Sequence, residues 1–515
     1  MRSHLSTEEL LKFTGNFLTQ KEYSEIISHI NECGQCYDMV INYFRVKFNF
    51  ENVFDNWTAK RHSDIFKKNK SDEFQEREKF EAEIYEQLKN GRDEIKTEHP
   101  FSIASGSKQD FILPDISLLG GVSESYKGIV TPEEIEAKEA ELRIIFSKFG
   151  IDLQKINVNV GNTVTVFQLA SLSGKSLPEI LKEREDIVSL INTPGTRLTE
   201  NKESHIIELE IPNIIRPVLN LKNFLSQPEF IAHPESLPVI FGQKQDSGIF
   251  MDDLNRLSHL LIAGSPGTGK SVYMNSLIAS LLFKKYPGDL KFVFIDSGKN
   301  DFDLFSKLNN HYIATSKDVN EYIIKGKKNV LSILKSLEAE LEMRYDKFAN
   351  AGVRNIVKYN MKYDSGKLKS SGDPVHMRMP YLIVMINEIS EVILSEEAGS
   401  SVARLVQFGR DAGIHFIAAT RYPSKGKTKD LIKQIIPSKA SYKLGSAKDS
   451  LSILNNPDAA GLLDFGDMLY LPSTVTQPIR IQSPFISNEE CEKITDFISS
   501  QRVNTIPYFL PSGNN

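Results

Sequence analysis

Residues 264–271 read Gly-Ser-Pro-Gly-Thr-Gly-Lys-Ser, following the apolar run His259 to Ala263 and preceding a helical pattern from Val272 to Leu282. Strand, glycine-rich turn and helix start form the setting of a phosphate-binding loop. Gly264, Gly267 and Gly269 let successive N–H groups turn inward toward phosphate oxygens. Lys270 has the reach for β- and γ-phosphates, and the Ser271 hydroxyl is a ligand for Mg²⁺. Ser265, Pro266 and Thr268 complete the loop. This segment is expected to bind ATP with Mg²⁺.

A second set of residues lies at the end of the apolar run Tyr381 to Ile386, which stops at Asn387-Glu388. ATPases with such a loop end a neighbouring strand in two acids, one supporting Mg²⁺ and one polarising the attacking water. Glu388 can be that base, whereas Asn387 brings no negative charge to the metal. An Asn387→Asp change is therefore expected to speed turnover. Two basic stretches are candidates for contact with nucleic acid: Arg354, Lys358, Lys362 and Lys367 with Tyr359 and Tyr363 between them, and Lys425, Lys427, Lys429 and Lys433 after Pro423. Lysines spaced along loops neutralise phosphates without reading bases.

The N-terminus carries a third set. His29, Cys33 and Cys36 form His-x3-Cys-x2-Cys, with His4 upstream as a fourth N/S ligand for structural Zn²⁺. A segment this poor in large apolar residues gains from a metal staple. The run from His4 to Cys36 resembles the small zinc-binding domain of anti-sigma factors. Such a site has no open coordination position, so its expected role is docking a protein partner. Cys491 stands apart in a helical pattern and is expected to be packed.

The elements that must position these residues divide the 515-residue chain into five stretches. Residues 1–45 form the zinc module, 46–110 a charged helical linker, 111–235 a small α/β domain, 236–502 the domain with the phosphate loop, and 503–515 a tail. In 111–235, a helix over 133–149 precedes strands at 156–160, 163–167 and 206–211. From 236 onward, apolar strands at 291–296, 381–386 and 415–420 alternate with amphipathic helices, the pattern of a mostly parallel sheet covered on both faces. Net charge is only −5, so nucleic-acid contact requires a local basic surface. No apolar run approaches the roughly 18 residues that span a bilayer. With three cysteines and no signal-peptide pattern, a cytoplasmic location without membrane contact is expected.

Gly409-Arg410-Asp411-Ala412-Gly413-Ile414-His415 through Thr420, Gly466-Asp467-Met468-Leu469-Tyr470-Leu471-Pro472, and Glu342-Met343-Arg344-Tyr345 with Gly352 to Ile356 together resemble the FtsK/SpoIIIE family of DNA translocases. Leu209 to Asn213 and Phe224 to Phe230 resemble the small domain preceding the motor in that family. The resemblance implies a RecA-like ATPase core assembled as a hexameric ring around duplex DNA. It also implies that Arg410 reaches the γ-phosphate of the next subunit, and that the two basic stretches lie in loops facing the pore. The zinc module and linker are expected in place of the family's usual membrane anchor, and the chain is expected to lack the winged-helix domain of some relatives. Three positions depart from the pattern: Asn387, Arg421 in place of a γ-phosphate-sensing glutamine, and Leu451 in place of an arginine. These departures bear on the rate of hydrolysis. They leave two alternatives open: a weakened nucleotide-binding scaffold or regulatory subunit, and a protein-translocating secretion ATPase of the same superfamily.

Overall fold

In a computed structural model, the chain is described from residue 111 to 513, apart from 121–129, 369–375, 424–435, 502–507 and a few shorter stretches. His4, His29, Cys33, Cys36, Lys425, Lys427 and Lys429 lie outside the described residues.

The first part is built on four antiparallel strands, β1 (Leu153–Val160), β2 (Val164–Ser171), β3 (Arg197–Asn201) and β4 (Ile206–Pro212), in the order β1-β2-β4-β3. Helix α1 (Pro132–Ser147) starts with Thr131 and Glu134 capping each other's backbone and Pro132 in the first turn, the pattern that satisfies orphan N–H groups. With α2 (Leu177–Lys182) and α3 (Arg184–Ile191) it covers a core of Phe146, Phe167, Ile187, Ile207 and Leu209. A register shift between Lys155 and Asn157 interrupts the β1–β2 pairing. Such a bulge moves the following side chains to the other face. Leu153 before it and Val158 after it, five residues apart, accordingly pack on the same core.

The larger part is a ten-stranded sheet. Its strands are β5 (Pro238–Lys244), β6 (Ile249–Asp253), β7 (Leu260–Ala263), β8 (Leu290–Ile295), β10 (Ile323–Ile324), β11 (Tyr381–Ile386), β12 (Ile414–Thr420), β13 (Ser438–Ser441), β14 (Asp467–Leu471) and β15 (Ile479–Gln482). The order is β10-β8-β11-β12-β7-β13-β14-β15-β5-β6. Pairings from β10 to β13 are parallel, and those from β13 onward to β6 are antiparallel. β9 (Ala314–Ser316) and β16 (Tyr508–Leu510) form a separate parallel pair. Every residue of β7, β8, β11 and β12 is buried, as in strands covered on both faces. The α/β class is as expected; the antiparallel half of the sheet was not read from the sequence.

Four helices matter for the site: α4 (Lys270–Lys284), α5 (Lys327–Ala351), α6 (Ile356–Asp364) and α7 (Glu396–Ala412). α4 is buried on nearly all sides, the mark of a core helix. Arg344 of α5 is fully buried, paired with Glu340 at 2.8 Å and donating to the Ala412 carbonyl at the end of α7. Tyr345 donates to the Phe408 carbonyl. α5 therefore grips the last turn of α7, and Gly413 ends that helix at φ 73°, where a Cβ would meet Ile356 at 2.5 Å.

The ends of the stretch expected to form the small domain pack elsewhere: Phe111, Leu119, Leu221, Phe224 and Phe230 belong to the large core. Buried charges join the two cores. Arg197 pairs with Glu210 and Asp458, and Arg480 with Glu210 and Asp467. Removing one member would strand a buried charge, which is far more costly than never having placed the pair.

His259 and His415 sit at the opposite end of β7 and β12 from the phosphate loop, 1% and 0% exposed. His259 accepts the Phe416 N–H at Nδ1 and shares Nε2 with the Val406 carbonyl, so its neutral tautomer is set. Burial pushes His259 down to about 3 and His415 to about 4. The native imidazoles are thus neutral, while in the unfolded chain both take up protons near 6.5. Protonation therefore favours unfolding. Their contribution to stability is complete above pH 6.5 and falls below it, approaching about 1.4 kcal/mol per pH unit for each histidine. Denaturant unfolding between pH 7.5 and 5 should show this slope, and His415→Gln should remove roughly half of it. An equal slope in both proteins would contradict the assignment.

Candidate nucleotide site

Strand β7 ends at Ala263, and the chain turns at once through Gly264 (φ 159°), Gly267 (φ 80°) and Gly269 (φ 115°) into α4. At Gly264 a Cβ would lie 2.8 Å from Tyr442 and 2.9 Å from Thr268, so only glycine fits. Backbone bonds hold the loop to its neighbours: Gly264 N–H to the Thr420 carbonyl at 3.2 Å and Ser265 N–H to the Lys443 carbonyl at 2.8 Å. The first turn of α4 then opens onto a cavity lined by Lys270, Ser271, Asp301, Asn387 and Arg421, among others. A helix N-terminus with unpaired N–H groups and a lysine is an anion site. Lys270 is 7% exposed, its ammonium donating to the carbonyls of Gly264 and Ser265 at 2.6 and 2.8 Å.

The register of the sheet determines what else reaches this cavity. Ile295 of β8 is paired with Ile386 of β11, so the residues that follow them, Asp296 and Asn387, lie side by side. Asn387 Nδ2 donates to Asp296 Oδ1 at 2.8 Å and to Asp301 Oδ2 at 3.2 Å. Its Oδ1 accepts from the backbone and hydroxyl of Ser297 at 3.0 and 3.1 Å. The opposite side of Asp301 meets the phosphate loop, with Ser271 Oγ donating to Oδ1 at 3.4 Å. Asp296 and Asp301 were missed in the sequence. An acid just past a buried strand is a weak signal until the neighbouring strand is known.

Glu388 is 1% exposed and does not line the cavity. Its two oxygens accept from Ser390 Oγ at 2.6 Å and from the Arg421 backbone N–H at 3.0 Å. Arg410 lies on the exposed last turn of α7, where Nε donates to the Asn255 carbonyl at 2.9 Å; it is not in the cavity of its own chain. Arg354 and Lys358 are exposed around the start of α6, and Lys362 donates to the Ala351 carbonyl at the end of α5. Tyr359 and Tyr363, expected among the basic residues as partners of nucleic acid, are buried: Tyr359 packs on Phe348 and bonds His376 at 3.0 Å. Their spacing is the inward stripe of a helix. Leu451, where the family pattern has an arginine, is 47% exposed. Among the described residues, no group of three or more His, Cys, Asp or Glu side chains is placed to hold a metal. No described helix is long and apolar enough to cross a membrane.

These contacts change the expectation for Asn387→Asp. The substitution would set a third carboxylate against two others and remove both amide donations. At pH 7.5 and without nucleotide it should lower stability by about 1–3 kcal/mol, read as a fall in the unfolding midpoint. An unchanged midpoint would show that the amide bonds do not matter.

Residues 220–425 match the FtsK/SpoIIIE family, and residues 113–213 match the FtsK alpha domain. The chain is 30% identical over 410 residues to the DNA translocase FtsK of Sporosarcina ureae, covering 79% of this chain and 51% of that protein. It is 32% identical over 397 residues to the DNA translocase FtsK of Helicobacter pylori (strain J99 / ATCC 700824), covering 76% of this chain and 45% of that protein. The chain thus spans about half the length of the curated relatives it matches. Among solved structures, the pCW3 conjugation coupling protein TcpA, in its monomer form with ATPgS, is similar at TM-score 0.47 and 17% identity, over 70% of this chain and 99% of that chain. The alpha-domain match and the FtsK/SpoIIIE match thus follow one another along the chain, over residues 113–213 and 220–425.

Proposed function

We propose that this protein is an ATP-driven motor that moves along duplex DNA as a hexameric ring. The observation that carries the reading is the pairing of two family-matched regions with an intact phosphate loop at the head of a buried helix. In this reading Gly264 to Ser271 hold the triphosphate, with Lys270 against the β- and γ-phosphates. The oxygens of Ser271 and its neighbours suit Mg²⁺, which keeps several waters and needs few protein ligands when phosphates supply the rest. Bound there, the ion would neutralise charge on the phosphates.

Glu388 is the proposed base. To act on a water it must leave the Ser390 hydroxyl and the Arg421 N–H, and catalytic hydrogen bonds often tighten only when substrate is present. Arg410 serves the neighbouring subunit in this reading, which suits its exposed place outside its own cavity. Arg354 and Lys358, with Lys362 and the 425–429 lysines, would meet DNA phosphates in the pore. The residues before 111 are proposed as a zinc module, with His4, His29, Cys33 and Cys36 as ligands, followed by a charged linker; the module docks a protein partner.

One observation favours a second reading, a slow ATPase serving as a scaffold. Both oxygens of Glu388 are engaged by Ser390 and the Arg421 backbone, and Arg421 lines the cavity where the family pattern has glutamine. ATP turnover with and without long duplex DNA separates the two. The motor reading predicts turnover stimulated by DNA, lost in Lys270→Ala together with nucleotide binding, and lost in Glu388→Gln with binding retained. DNA binding should weaken steeply with salt and show no sequence preference. Turnover indifferent to DNA would remove the motor reading.

Elemental analysis should find one zinc per chain in protein purified without added metal, absent after Cys33→Ser with Cys36→Ser. Chelation should loosen the N-terminal module and leave nucleotide binding intact. Zinc that survives the double substitution would contradict the ligand set.

A further inference from the structure

We infer that Asp301 supplies the metal-side carboxylate that position 387 lacks, so that the acid has moved from the end of β11 to the turn after β8. The inference rests on the nucleotide-site reading above and adds to it a residue that neither the phosphate loop nor the Asn387-Glu388 pair contains.

Three observations carry it. First, Asp301 lies between the two groups that should flank the ion: Ser271 Oγ at 3.4 Å from Oδ1 and Asn387 Nδ2 at 3.2 Å from Oδ2. All three side chains line the cavity at the start of α4. Second, the turn that presents Asp301 is held in place from within. Asp296, 1% exposed, accepts the Gly298 N–H at Oδ1 (2.9 Å) and the Phe302 N–H at Oδ2 (3.4 Å). Lys325 bridges Asn300 and Asp303 at 2.8 and 2.7 Å. Asn300 takes φ 61°, a conformation that asparagine tolerates better than most residues. Third, the amide at 387 suits a site whose charge comes from elsewhere. As a donor it draws Asp296 and Asp301 together, where an aspartate would repel both.

Asp301 contacts the ion directly or through one of its waters. Asn387 is then a positioning residue that aims the carboxylate. Asp296 is spent on the turn.

Titration of a fluorescent ATP analogue, first in EDTA and then with increasing Mg²⁺, tests this on the full chain. Manganese binding by electron paramagnetic resonance supplies a second readout independent of turnover. Asp301→Asn should match the parent protein in EDTA, showing that the fold and phosphate loop are intact. It should then need at least about tenfold more Mg²⁺ to reach half of the metal-dependent gain, and its Mn²⁺ affinity should fall likewise. The double variant Asp301→Asn with Asn387→Asp restores one carboxylate to the site and should recover most of the loss, as a merely structural role for Asp301 would not allow. Equal Mg²⁺ midpoints in parent and Asp301→Asn would overturn the inference while leaving the nucleotide site standing. A parent protein that binds no nucleotide in either medium would overturn both.

Discussion

The site depends on the parallel register of β7, β8, β11 and β12. Because Ala263 pairs with Thr420, Ile386 with Ala418, and Ile386 with Ile295, four strand ends arrive at one rim. Parallel strands place their carboxyl ends together, and in open α/β sheets ligands bind outside those ends. Gly264, Asp296, Asn387 and Arg421 are the residues at or just beyond that rim. A slip of register would separate Asp296 from Asn387 and turn the buried strands' side chains to the wrong faces.

The same constraint explains how distant residues are held. α7 runs into β12, so the grip of Arg344 and Tyr345 on its last turn sets the exposed position of Arg410. The fully buried Arg344 is satisfied by Glu340, the Ala412 carbonyl and the Tyr508 hydroxyl. A cation at a helix C-terminus is also favourably placed for the helix dipole. At the other end of the sheet, the Arg197 and Arg480 ion pairs join the four-stranded part to the large core through buried charge.

The parallel strands β7, β8, β11 and β12 were legible because each is a largely apolar run. Tyr381 to Ile386 is an example, read from apolar composition alone. The phosphate loop was legible because glycines, lysine and serine at fixed spacing have few other uses. What was not legible is what depends on pairing between strands distant in sequence. Asp301 lies 30 residues beyond Ser271 and 86 before Asn387, and no local pattern joins them. Tyr359 and Tyr363 misled for a related reason: residues four apart on a helix share a face, and here that face is buried.

In our proposal, charge for the nucleotide's metal comes from the turn after β8. A structure determined with a non-hydrolysable ATP analogue and Mn²⁺, the ion located by its anomalous scattering, tests this most directly. The ion should lie beside Ser271, with Asp301 as the nearest protein carboxylate, bound directly or through one water, and Asn387 still donating to that acid. An ion whose nearest carboxylate is Glu388, with Asp301 turned away from the cavity, would contradict it.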